Sequence, residues 1–222
     1  KAVLNEAKKL ATPSKTEEAK INAVVKELLA NITMEIAKQK LKAKIMVGGS
    51  VAKGTWLPGI SDIDFFVLFD YFTFADRSAE ISDFAGKVLK KVFRNLQRLH
   101  GSRDYFSAKH EHYNLEFVPV LDIANGQQAR NTTDYSPLHV KYVAKNVKVK
   151  DDIRLAKLFM KAAGVYGAES YINGFSGHVI ETLTADYGGF PLLLAHALEW
   201  DVKEVIDIEG HYKNRHEVFK TL

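Results

Sequence analysis

The sequence predicts an α+β fold, a mixed sheet with helices followed by a small and mainly helical domain. Three observations carry that reading. Short β-rich runs at 44–48 and 63–69 enclose a Gly-Gly-Ser turn, long stretches on either side repeat apolar residues at helical spacing, and beyond about residue 150 the pattern is helical.

The first β-rich run ends in Gly48-Gly49-Ser50, a helical turn's worth of small and polar residues follows, and Pro58-Gly59 breaks the chain before Asp62-Ile63-Asp64-Phe65 opens the second run. Side chains alternate along a strand, so Asp62 and Asp64 share one face while Ile63, Phe65 and Val67 share the other, the core side. Glycines after a strand let backbone N–H groups approach an anion closely, and a helix starting there adds its positive end. The stretch reads as a phosphate-gripping turn beside a divalent-metal clamp. Taken singly, Asp-x-Asp is a common solvated strand edge and Gly-Gly-Ser an ordinary turn; their order and closeness give the motif its meaning.

With 222 residues, 46% hydrophobic and 11% aromatic, the chain has material for one large domain or two small ones around a packed core. A formal charge of +4 suits a polyanionic partner without identifying one. Without cysteine there is no disulfide framework, thiolate zinc site or thiol nucleophile, a composition that suits the cytoplasm, where the protein is expected. No apolar run approaches the ~20 residues that span a bilayer, so no membrane partner is expected.

Residues 1–10 read as a short amphipathic helix ended near Pro13. Ser14 and Glu17 have capping-box spacing, and Ile21, Val24, Leu28, Ile32 and Ile36 predict a long helix over 16–39. Ile81, Phe84, Val88, Val92, Leu96 and Leu99 predict another. Its opposite side carries Lys87, Lys90, Lys91, Arg94 and Arg98, a charge pattern expected of a solvated face before an RNA-binding stripe. Strands are expected at 105–106 and 113–120, joined by a polar hairpin whose His110 and His112 have no cysteine nearby to make a zinc site. In the second of them Glu116 leaves the core face occupied by Leu115 and Phe117; beside the Asp62–Asp64 strand, it would complete a three-carboxylate site for two magnesium ions. A composition shift between about 135 and 150 divides the chain into a first domain at 1–145 and a second at 146–222. Further helices are expected up to Gly164, through Val179 and Leu183 to Tyr187, and over about 192–200.

With these pieces in place, essentially the whole chain resembles the amino-terminal half of the archaeal-type (class I) CCA-adding enzymes, tRNA nucleotidyltransferases of the DNA polymerase β superfamily. The superfamily signature is Gly49-Ser50, then Asp62-x-Asp64, then an acid on a later strand, here Glu116. The narrower match is Ser136-Pro137-Leu138-His139, followed by Arg154 and Lys157, by Gly164, Tyr166 and Glu169, and by Gly174 and Gly177. The resemblance implies a nucleotidyltransferase (polymerase β-like) fold. It implies catalytic, metal-binding roles for Asp62, Asp64 and Glu116 with two Mg2+ ions, and nucleotide contacts from Gly49, Ser50 and Lys53. His139, Lys157 and Tyr166 would reach the triphosphate or sugar from across the cleft. Three positions depart from the family, which usually has arginine at Lys53, glutamate at Asp62 and aspartate at Glu116. Lysine keeps the charge but loses the bidentate fork.

The reaction so implied is template-independent addition of C and A from CTP and ATP to the tRNA 3′ end by two-metal catalysis. The family continues into an arginine that reads the base and into segments that hold tRNA, so a longer enzyme or a separate carboxy-terminal subunit is expected to supply them. Two alternatives stay open. One is another nucleotidyltransferase of the superfamily, protein-modifying or oligoadenylate-forming; the other is a non-catalytic nucleotide- or RNA-binding module.

Overall fold

The computed structural model describes residues 2–145 and 147–221. The expected first helix starts on Lys1, which lies outside the described residues, and α1 is described over Ala2–Ala11. The long helix α2 (Lys15–Lys38) begins on the expected capping box: Ser14 Oγ accepts from the Glu17 N–H at 3.2 Å, and the Glu17 carboxylate accepts from the Ser14 N–H at 2.9 Å. The same carboxylate accepts the Gly59 N–H at 3.1 Å, tying the helix start to the loop that precedes the acidic strand.

Then come β1 (Ala43–Val47), a single turn of helix α3 (Gly49–Lys53), β2 (Asp62–Asp70), a turn α4 (Tyr71–Phe74) and α5 (Ile81–Val92). Strands β3 (Gln97–Leu99), β4 (Tyr105–His110) and β5 (Tyr113–Asp122) complete a five-stranded mixed sheet of order β1-β2-β5-β4-β3. Only the β2–β5 pair is parallel. One face buries Ile63, Phe65, Val67, Leu115 and Phe117 under Leu28 and Ile32 of α2 and Ala85 and Leu89 of α5. The alternation that puts these side chains inward sends Asp62, Asp64 and Glu116 to the other face. Further along that face the residues turn apolar, and Phe66, Leu68 and Val120 pack with Val140 of α6 (Ser136–Ala144).

The amphipathic helix expected to reach Leu99 ends at Val92. Phe93 leaves with φ −116° and ψ 125° and buries its ring 5.1 Å from Phe117. Residues 97–99 instead become an edge strand on β4. Burial of one aromatic ring outweighs continued helical spacing. Arg98 consequently pairs with Asp83 at 2.6 Å and Asp104 at 2.7 Å, which neutralises part of the expected basic stripe.

The remaining helices are α7 (Lys150–Ala162), α8 (Gly177–Asp186), α9 (Phe190–Ala197) and α10 (Arg215–Thr221), the last not foreseen. Leu155, Ala156 and Met160 of α7 pack with Ile180 and Phe190. Ala7 of α1 joins this cluster and Lys8 pairs with Asp152 at 2.8 Å, so the first helix lies on the region that the sequence boundary places in the second domain. No described helix is long and apolar enough to cross a membrane.

Candidate active site

In the parallel β2–β5 register Asp64 stands directly opposite Glu116, and Asp62 opposite Asn114. Asn114 donates to Asp62 Oδ1 at 2.9 Å, and Ser61 Oγ to Oδ2 at 3.3 Å. Burial pushes the Asp64 carboxyl above the usual aspartate range, with Asp62 adding to the rise and Lys53 and Lys157 opposing it. Burial also raises Glu116, helped by the neighbouring Asp64 and Asp62 charges. The three acids thus share a face and repel one another. Among the described residues no three His, Asp or Glu side chains are gathered into a metal cage. The donor set itself, three carboxylates of crowded negative charge, has the hard oxygen chemistry that suits magnesium.

The glycine turn is built around Asp64. The Gly48 N–H donates to the Asp64 carbonyl at 2.7 Å. Gly49 has φ +54°, and a Cβ there would lie 1.6 Å from Asp64 Oδ2, so any side chain would displace the carboxylate. Ser50 follows and lines a cleft of about 300 Å³. Asp62, Asp64, Lys157, Lys161 and Tyr166 also line it, with Thr55, Trp56 and the 57–61 loop along one wall. Lys161 Nζ lies 5.3 Å from the centroid of the Tyr166 ring. The glycine-rich segment that positions Tyr166 is tight: a Cβ on Gly174 would meet the Val165 carbonyl at 2.2 Å, and one on Gly177 the Tyr166 hydroxyl at 2.8 Å.

Of the expected site residues, Gly49, Lys53, Glu116 and His139 are not among those lining the cleft. Lys53 is buried, and its Nζ donates to Glu181 Oε2 at 2.5 Å. Lys157 Nζ donates to the other oxygen of the same carboxylate at 2.6 Å and to the Thr55 carbonyl at 3.2 Å. Thr55 Oγ1 donates to Glu181 Oε1 at 2.5 Å. Burial pushes Glu181 up, but Lys157 and Lys53 together outweigh it and hold the carboxyl below its usual range. Burial lowers Lys157 against the pull of Glu181. His139, on α6, stacks on His178 of α8 with centroids 4.0 Å apart. Burial lowers both imidazoles, His178 to about 4, so the pair is neutral at neutral pH.

The sequence reading missed Glu181, Thr55, Lys161, Asn114 and His178. Lys161 is one helical turn beyond Lys157, and Glu181 is a lone acid among Val179, Ile180 and Leu183, a signal that points to a buried partner.

Comparison with known proteins identifies the family and the fold. Residues 30–139 match the family model described as a nucleotidyltransferase domain, and residues 151–222 match that of the tRNA nucleotidyltransferase second domain. A CCA-adding enzyme of Nanoarchaeum equitans is 42% identical over 179 residues, which are 80% of this chain and 44% of that protein. One from Pyrobaculum islandicum is 37% identical over 204 residues, covering 89% of this chain and 47% of the relative. The chain thus spans less than half the length of these curated relatives. Among solved structures, CdnC of E. coli MS115-1 with ATP aligns over 90% of this chain and 71% of its own, with a TM-score of 0.60 and 18% identity. A cytoplasmic RNA terminal U-transferase aligns over 84% of this chain and 52% of its own, with a TM-score of 0.57 and 16% identity. At such identities the likeness is one of fold.

Proposed function

We propose that this chain, which belongs to the CCA-adding tRNA nucleotidyltransferase family, carries the machinery that transfers a nucleotide from CTP or ATP to the 3′ end of tRNA. The observation that carries the reading is the apposition of Asp62 and Asp64 on β2 with Glu116 on β5, beside a glycine turn that only a residue without a side chain can make. Opposite this acidic edge, Lys157, Lys161 and Tyr166 give the cleft a cationic and aromatic wall.

In the transfer, a bond forms between the 3′-hydroxyl oxygen and the α-phosphorus while the bond from that phosphorus to the β-phosphate bridging oxygen breaks, releasing pyrophosphate. Asp62, Asp64 and Glu116 would hold two magnesium ions, which supply positive charge to acidify the attacking hydroxyl and to balance the phosphates. Ser50 offers a hydroxyl donor to the triphosphate, and Gly49 leaves the Asp64 carboxylate its place beside it. Lys157 and Lys161 oppose the charge that accumulates on the departing pyrophosphate. Neutral His139, stacked on His178, offers a hydrogen bond to the nucleotide without adding charge. The segments that read the base and hold the body of tRNA are assigned to the remaining length of such an enzyme, in the same chain or on a separate carboxy-terminal polypeptide.

The test is extension of tRNA lacking its terminal CCA, with magnesium and labelled CTP or ATP, by the wild-type chain with and without the carboxy-terminal half of a relative. Incorporation that requires magnesium and is stimulated by the added half supports the proposal. Magnesium-independent incorporation, or none under either condition, overturns it.

A further inference from the structure

The mechanism above uses Lys157 but says nothing of Glu181, the most deeply buried charged group touching it. Glu181 is 1% exposed, and its two oxygens are divided between two ammonium groups from opposite parts of the chain, Lys53 from α3 and Lys157 from α7. Thr55, fully buried, closes the arrangement through its hydroxyl and carbonyl. A carboxylate this far from water persists only with matched partners, and here it has two cations for one anion. The surplus positive charge lies on the side of Asp64 and the cleft, because Lys157 lines that cleft while Lys53 and Glu181 do not.

We propose that Glu181 is a positioning residue for nucleotide binding: one carboxylate, anchored from behind by Lys53 and Thr55, fixes the Lys157 ammonium at the cleft wall where the triphosphate of an NTP is held. The inference rests on the nucleotidyltransferase reading. In this arrangement Lys53 acts through Glu181 rather than on the phosphate.

Glu181 also favours the protonated form of Lys157 against the burial that lowers it. With the carboxylate neutralised, that support is lost and Lys157 would give up its proton more readily as pH rises. A clasp that only joins the two halves of the molecule has no such consequence for ligand binding.

The experiment measures binding of magnesium ATP and of AMP to the wild-type chain and to Glu181→Gln at about pH 7 and about pH 9, with thermal unfolding as a check on folding. The expected result is an ATP affinity about tenfold weaker in Glu181→Gln at neutral pH, corresponding to one lost charge-assisted contact, and weaker still at alkaline pH, with AMP affected far less. Equal ATP binding by the two proteins at both pH values overturns the inference, as does a loss that is the same for ATP and AMP and independent of pH. If Glu181→Gln does not fold, Glu181→Asp, which keeps the charge but is one methylene too short to reach both ammonium groups, decides the matter. It is expected to bind ATP a few-fold more weakly with the wild-type pH profile, and unchanged ATP affinity overturns the inference. Failure of the wild-type chain to bind ATP at all would instead remove the nucleotidyltransferase reading and the inference with it.

Discussion

Asp64 and Glu181 are both carboxylates withdrawn from water, yet their proton affinities move in opposite directions. Asp64 is raised and Glu181 is lowered, although Glu181 is the more deeply buried of the two. Burial raises both, and the partners decide the outcome. Glu181 is divided between two ammonium groups at hydrogen-bond distance, whereas Asp64 faces Glu116 across the strand pair and has Asp62 two residues away. A charge-matched carboxylate serves as a fixture. A carboxylate crowded by its own kind is costly to ionise and gains most when a cation arrives, which is the condition for a metal-binding edge.

The contrast predicts that substitutions at the acidic edge damage activity and spare the fold, while those in the buried cluster around Glu181 cost stability as well as nucleotide binding. The largest effect is expected for Asp64→Ala, which should lower nucleotide transfer by about three orders of magnitude while leaving the far-ultraviolet circular dichroism unchanged. Gly49→Ala comes next. Its methyl would occupy the place of Asp64 Oδ2 on a backbone at φ +54°, so transfer should fall by about a hundredfold, at a stability cost of about 1–2 kcal/mol from the left-handed conformation. Steady-state kinetics with urea unfolding separates the two effects.

Beside Glu181, Lys53→Met removes one of two cationic partners from a carboxylate that is 1% exposed and should destabilise the chain by about 3 kcal/mol in chemical denaturation. A stability equal to wild type would mean that Lys157 and Thr55 satisfy Glu181 without it. The smallest effect concerns pH. The folded-state pKa of Asp64 is raised above its ordinary 3.8, so the folded state holds the proton more tightly than the unfolded chain. Its contribution to stability is therefore full below that ordinary value and is lost as pH rises through the higher, folded-state value. Asp64→Asn should consequently match wild type most closely at acidic pH and be the more stable near neutrality in magnesium-free buffer. Melting curves across that window check the sign; an advantage that shrinks as pH rises contradicts it.

Most of the acidic edge was legible in the sequence because alternation along a strand is a local rule, and Asp62, Asp64 and Glu116 leave the core face simply by following it. Helix α2 was legible for the same reason, with its capping box and apolar periodicity lying within one stretch. The misreading at Leu96 and Leu99 shows where locality ends. Their spacing continues that of α5, but Phe93 finds a better environment on Phe117, a residue that sequence order places 24 positions away (117 − 93). Glu181 was less legible still. Its partners Lys53 and Thr55 lie 128 and 126 residues distant, and only tertiary packing brings them to it. Lys53 shows the same limit from the other side, since the glycine turn before it is local while the buried acid on its ammonium comes from another helix.

The central claim is that the acidic edge of β2 and β5, beside the glycine turn, is where magnesium and a nucleoside triphosphate meet. The most direct measurement is calorimetric titration of ATP into the wild-type chain and into Asp64→Ala, each with and without magnesium. Wild-type affinity should rise by about tenfold or more when magnesium is present, and Asp64→Ala should lose that increment while keeping its fold. Magnesium enhancement of equal size in both proteins would contradict the placement of the metal on this edge.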